Sequence, residues 1–112
     1  MSKRRMLSRS RLKPEGVQEY VRLHRQVWPE LLEAYRTAGL TQISCFLSGL
    51  DLVVYSEYEL EVYEKGKEAL SRNLVEIRWQ ALIKPLRDPD FEQQALEEVF
   101  HMPSAPNEES AS

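Results

Sequence analysis

Apolar and polar positions alternate from Arg5 to Leu12, which predicts a strand with Met6, Ser8, Ser10 and Leu12 on one side and Leu7, Arg9 and Arg11 on the other. The period then changes. Val17, Tyr20, Val21, His24, Val27, Trp28, Leu31 and Leu32 recur near the helical repeat, and Pro14-Glu15-Gly16 supplies the start. Pro29 disfavours helical geometry at Trp28 and lacks a donor, so a break is predicted near Gln26–Trp28 and a second segment from Pro29 to a stop at Gly39. Thr41 to Leu47 reads as a strand with Ile43, Cys45 and Leu47 facing one way. Ser48-Gly49 makes a tight turn, and Leu50 to Glu59 returns as the second arm of a hairpin. Val62 to Leu86 is helical in two pieces that meet near Asn73. A loop over Arg87–Phe91 leads to a last strand over Ala95–Met102, centred on Val99 and Phe100.

The order strand, helix, strand, strand, helix, strand is the split βαβ pattern, so the expected fold is α+β and ferredoxin-like, βαββαβ. Both helical regions then pack on one face of the sheet. The opposite face, with Phe46, is left bare and needs a cover, for which a second copy related by a two-fold axis is the simplest candidate. At 112 residues the chain is one domain, assigned to residues 1–102, with a Ser-, Pro- and Glu-rich tail expected to be mobile over 103–112.

Charge changes this picture little. Lys3, Arg4, Arg5, Arg9, Arg11 and Lys13 form a basic run, but the net charge is -3 and no aromatic platform accompanies the run, so neither nucleic acid nor a membrane is an expected partner. No apolar stretch near the start reads as an export signal and none approaches a membrane span, which points to the cytoplasm. Cys45 is the lone cysteine. It excludes an intrachain disulfide and reads as a small buried hydrophobe.

The candidate chemistry lies in the first helix. Tyr20, His24 and Trp28 are spaced i, i+4, i+8, which lines a phenol, an imidazole and an indole along one face just before the break. A lone histidine on an apolar stripe is more often structural than catalytic. The adjacent phenol and the interruption of the helix raise the functional reading. His24 and His101 are far apart in sequence and lack partners at ligand spacing, so no metal is expected, and no cofactor motif is present.

The run Tyr20-Val-Arg-Leu-His24-Arg-Gln-Val-Trp28-Pro29-Glu30-Leu31 resembles the signature of the L-rhamnose mutarotases, and Leu96-Glu97-Glu98-Val99-Phe100 is similar to that family's closing strand. The resemblance covers about residues 5–102. It implies a dimeric α+β barrel that equilibrates the α and β pyranose forms of L-rhamnose or a related free sugar, with His24 as proton donor and Tyr20 as a sugar contact. The chain departs from the family at two places. Ile43 stands where relatives carry a tyrosine, and of a Trp-Trp pair only Trp79 remains, beside Arg78 or Gln80. Trp79 is expected to stack on the sugar ring and Arg78 to contact an acidic or differently hydroxylated sugar.

The residue types suit the reaction. Ring opening delivers a proton to the ring oxygen and removes one from the anomeric hydroxyl, and an imidazole exchanges protons near neutral pH. For the base, Glu98, Glu57, Tyr55 and His101 are candidates by type, as is water. Two other classes share the scaffold: cofactor-free monooxygenases or haem-degrading proteins, and a non-catalytic sugar-binding module.

Overall fold

In the computed structural model, which describes residues 2–104, the elements follow the predicted order. They are β1 (Lys3–Arg11), α1 (Val17–His24), α2 (Pro29–Thr37), β2 (Leu40–Ser48), β3 (Asp51–Glu59), α3 (Leu60–Ser71), α4 (Leu74–Ile83) and β4 (Gln94–Leu96). Short 3-10 turns at Pro14–Gly16 and Lys84–Leu86 introduce α1 and close α4. The sheet order is β2-β3-β1-β4 with every pair antiparallel, the ferredoxin-like arrangement. No helix among the described residues is long and apolar enough to cross a membrane.

Local chemistry sets the boundaries. Pro29 sits in the first turn of α2 and holds Trp28 extended (φ -62°, ψ 130°), so α1 ends at His24 and the chain turns before α2 starts. Asn73 caps α4, its side-chain oxygen accepting from the Val75 N–H at 2.8 Å and the Glu76 N–H at 3.3 Å; this is the division expected between the two pieces of the second helical region. Gly49 (φ 61°) takes the first place of the two-residue β2–β3 turn, where a left-handed residue matches the strand twist. Gly39 (φ 101°) ends the α2 region, and a Cβ there would come within 2.8 Å of the Tyr63 backbone nitrogen. Gly39→Ala is therefore expected to lower stability by about 2 kcal/mol or more, combining a left-handed backbone penalty with a backbone clash. Denaturant unfolding measures it directly.

The register fixes which residues share a face. Ser10 pairs with Leu52, Ser8 with Val54 and Met6 with Ser56, and across β3 these meet Leu47, Cys45 and Ile43. This is the face under the helices. Leu12, Leu31, Leu52 and Ile83 are fully buried there, with Tyr20 and Trp79 in the same cluster. The helices cover β1 and β3 better than the edge strand β2, whose Ile43, Cys45 and Leu47 stay exposed. Cys45 is thus not the buried hydrophobe its neighbours suggested, because an edge strand has protein on one side only.

The other face carries Arg5, Leu7, Arg9, Arg11, Val53, Tyr55, Glu57, Phe46 and Leu96, and Phe46 is 60% exposed. The arginines of β1 are solvated here. Arg9 and Arg11 pair with Asp51 and sit over the Phe91 ring, while Lys3 reaches Glu57. Lys3, Arg5, Arg9 and Arg11 of the basic run are thus engaged in local ion pairs on this face.

The last strand is shorter than expected. Only Gln94–Leu96 pairs with β1, and Val99, Phe100 and Met102 lie beyond the sheet, 71–87% exposed. The chain still follows β1. Continuing the Leu7–Leu96 register would place Arg5 opposite Glu98, and these side chains meet in a two-pronged contact of 2.7 and 3.0 Å. Beyond Leu96 a side-chain pair thus stands where the backbone ladder has ended. Of the expected tail, Pro103 and Ser104 belong to no regular element, and residues 105–112 lie outside the described residues.

Candidate active site

The break before α2 leaves His24 in the final turn of α1, with Tyr20 one turn earlier on the same face. Their rings stack, centroids 4.1 Å apart and planes 23° from parallel. Trp79 of α4 closes the other side, edge-on to His24 at 5.2 Å and 72°, and edge-on to Trp28 at 5.2 Å and 79°. Tyr20 and Trp79 are 4% and 5% exposed, whereas His24 and Trp28 are half-buried. The imidazole is therefore held by buried rings and keeps an open side.

Its tautomer follows from one contact. Nδ1 lies 2.8 Å from the Tyr20 backbone carbonyl, which can only accept, so Nδ1 carries a proton. Nε2 is then the ring nitrogen left able to exchange a proton. Stacking fixes the ring plane and the carbonyl fixes its rotation, so Nε2 has a set direction. Burial, followed by the neighbouring Cys45, holds the Tyr20 phenol well above its ordinary pKa, so it works as a neutral donor. Its hydroxyl lies 4.0 Å from Cys45 Sγ, a weak acceptor at the inner face of β2.

A second layer holds Trp79. Tyr35 of α2 donates to Glu76 of α4 at 2.7 Å, and Gln80 reaches the same carboxylate at 3.4 Å. These residues bracket Trp79 on α4 and tie that helix to α2. Burial, then the bond to Glu76, raises the Tyr35 pKa, so this link stays protonated.

Of the expected site residues, Tyr20, His24 and Trp79 come together. Arg78 is exposed, and no contact ties it to the rings. On a helix its neighbour Trp79 points about 100° away, so a buried Trp79 turns Arg78 outward. Of the four candidate bases, Tyr55, Glu57 and Glu98 lie on the far face of the sheet. Glu57 accepts from Tyr55 at 2.7 Å on the opposite face, Glu98 is held by Arg5, and His101 is exposed beyond β4. Tyr55, pushed up to about 12 by burial and then by its bond to Glu57, is itself no base at neutral pH. Arg87, read from the sequence only as loop, instead enters the layer of Tyr20 and Cys45. No local pattern signals this, since the pairing that places it joins residues 12 and 87. Three grooves lie away from these rings: about 400 Å3 between α2, α3 and α4, about 500 Å3 along α4, and about 210 Å3 beside Arg5, Tyr55 and Glu98.

An antiparallel ferredoxin-like sheet with a fixed imidazole boxed by aromatic rings defines a small α+β protein equipped for acid–base work on a small molecule. A sequence model of the L-rhamnose mutarotases matches residues 5–102, and the chain belongs to that family. The L-rhamnose mutarotase of Acidiphilium cryptum is 34% identical over 99 residues, covering 85% of this chain and 94% of the relative. The crystal structure of an L-rhamnose mutarotase from Formosa agariphila superposes with a TM-score of 0.71 at 25% identity, covering 88% of this chain and 98% of that one. A putative antibiotic biosynthesis monooxygenase from Nitrosomonas europaea shares the fold, with a TM-score of 0.60 at 11% identity over 88% and 91% of the two chains.

Proposed function

We propose that this protein interconverts the α and β pyranose anomers of L-rhamnose by acid–base ring opening, with His24 as the proton-transferring group. The observation that carries the reading is the fixed imidazole: Nδ1 on the Tyr20 carbonyl, the ring between Tyr20 and Trp79, and Nε2 left for a ligand. In the forward step protonated Nε2 gives its proton to the ring oxygen as the C1–O5 bond breaks. The anomeric hydroxyl loses its proton to water as C1 becomes an aldehyde carbon. Rotation about C1–C2 presents the other carbonyl face, and reclosure reverses both transfers. Water serves as the base in this scheme because the carboxylates weighed for the role lie across the sheet. Tyr20 supplies a hydroxyl to a sugar oxygen, and Trp79 an apolar wall for the ring.

Arg78 stays outside this machinery. Arg78→Ala is expected to leave L-rhamnose exchange within about twofold, as for most exposed substitutions, and a drop beyond that would bring it into the site. The quaternary form belongs to the same proposal. A second copy covers the face that carries Phe46, Leu96, Val99 and Phe100, giving a homodimer that acts in the cytoplasm on a free sugar.

The test is saturation-transfer NMR on purified protein with L-rhamnose, L-fucose, other aldoses and anionic sugars. Accelerated exchange between the anomeric proton signals of L-rhamnose is the expected result. Binding without acceleration would convert the reading to that of a sugar-binding module.

A further inference from the structure

We infer that Arg87 is a positioning residue that acts through the Tyr20 hydroxyl, turning its O–H toward the sugar; the inference rests on the mutarotase reading above. The backbone fixes where Arg87 goes. It forms an antiparallel bridge with Leu12, and bridge partners share a face. Leu12 is fully buried on the inner face in the cluster that contains Tyr20, so the Arg87 side chain enters the same layer. The flanking backbone is tied down on both sides, with Lys13 N–H donating to the Leu86 carbonyl at 2.9 Å and Asp88 N–H to the Arg11 carbonyl at 2.8 Å.

Two groups locate the guanidinium further. Burial raises the pKa of both the Tyr20 phenol and the Cys45 thiol, the Arg87 charge opposes that rise at each, and the two groups lie 4.0 Å apart. The cation therefore stands beside the point where the phenol and thiol meet. Arg87 Nε is buried without an acceptor, and among the described residues no carboxylate forms an ion pair with Arg87. A guanidinium can only donate. Next to a phenol it engages the oxygen lone pairs, which leaves the phenol proton to point elsewhere. The thiol sulfur at 4.0 Å is a poor acceptor, and a sugar oxygen is a better one. Polarisation by the cation also strengthens the phenol as a donor. Arg87 thus sets both the direction and the strength of the Tyr20 hydrogen bond without touching the sugar.

A double-mutant cycle tests this. Arg87→Gln, Tyr20→Phe and the double variant are compared with the wild-type chain by the same exchange measurement over a range of L-rhamnose concentrations. Arg87→Gln is expected to lower kcat by about tenfold or more, the scale of a lost bond to a charged donor, with little change in KM. Adding Arg87→Gln to Tyr20→Phe is expected to cause no further loss, because the phenol oxygen through which Arg87 acts is already gone. Losses that multiply, or an unchanged rate in folded Arg87→Gln, overturn the inference. Arg87→Lys keeps the charge and is expected to recover part of the rate. If Arg87→Gln does not fold, Arg87→Lys with and without Tyr20→Phe completes the same cycle. Wild-type protein that accelerates no sugar removes both readings, whereas an active wild type with multiplying losses removes only the role of Arg87.

Discussion

His24→Ala is expected to lower the catalysed anomer exchange of L-rhamnose by about 10²–10⁴-fold, the range that one positioned acid–base group supplies, while the fold survives. The expectation follows from the geometry. Every contact of the ring serves to aim Nε2: the stack on Tyr20, the edge of Trp79 and the 2.8 Å contact to the Tyr20 carbonyl. The residue is half-buried at the end of a helix, so truncation leaves a partly solvated gap where the ring was. The stability cost should be about 1–2 kcal/mol, near the centre of the range for single substitutions. Saturation-transfer NMR reads the rate and thermal unfolding reads the fold. His24→Gln sharpens the test, since an amide can reproduce a hydrogen bond to the sugar but cannot cycle a proton. A variant at this position that exchanges anomers at the wild-type rate would remove His24 from the mechanism.

Trp79→Ala should have the largest effect on stability, a loss of about 3–5 kcal/mol, as for buried tryptophans removed elsewhere. Trp79 is 5% exposed, belongs to the core cluster and touches both Trp28 and His24. Its removal takes out the wall between α1 and α4 and frees the imidazole on one side. A loss of that size is a large share of the total for a domain of this length, so urea unfolding should show a marked fall in midpoint. Trp79→Phe separates the two roles. It should recover most of the stability through area burial but restore exchange only in part, because a smaller ring leaves His24 less constrained. Recovery of full exchange by Trp79→Phe would mean that bulk alone suffices at this position.

Much of this architecture was legible in the chain. The alternation at Met6, Ser8, Ser10 and Leu12 names the inner face of β1, and Ile43, Cys45 and Leu47 name that of β2. Pro29 marks the break that leaves His24 at a helix end, and Asn73 marks the start of α4. These features depend on φ restriction, capping and side-chain period, all properties of a few neighbouring residues. Tyr20 and His24 share a face for the same reason, so half of the candidate site could be written down before any tertiary contact was known.

The rest depended on where elements meet. Cys45 looked buried by pattern, but strand order puts β2 at an edge and leaves the residue exposed. Val99 and Phe100 read as the centre of a strand, but the ladder ends at Leu96 and both side chains lie exposed beyond it. Arg78 and Trp79 both read as site residues, and packing on the core turns Trp79 inward and leaves Arg78 exposed. Glu57 and Glu98 matched the role of base by type, and the sheet separates them from His24. Arg87 was a loop residue until its bridge to Leu12 carried it to Tyr20. The sequence by itself determined the elements, their order and the Tyr20–His24 pair, because those follow from interactions within a turn or two of chain. Only the tertiary structure decided which cation, which indole and which carboxylates share a space with that pair, because contacts between residues dozens of positions apart are set by how whole faces pack.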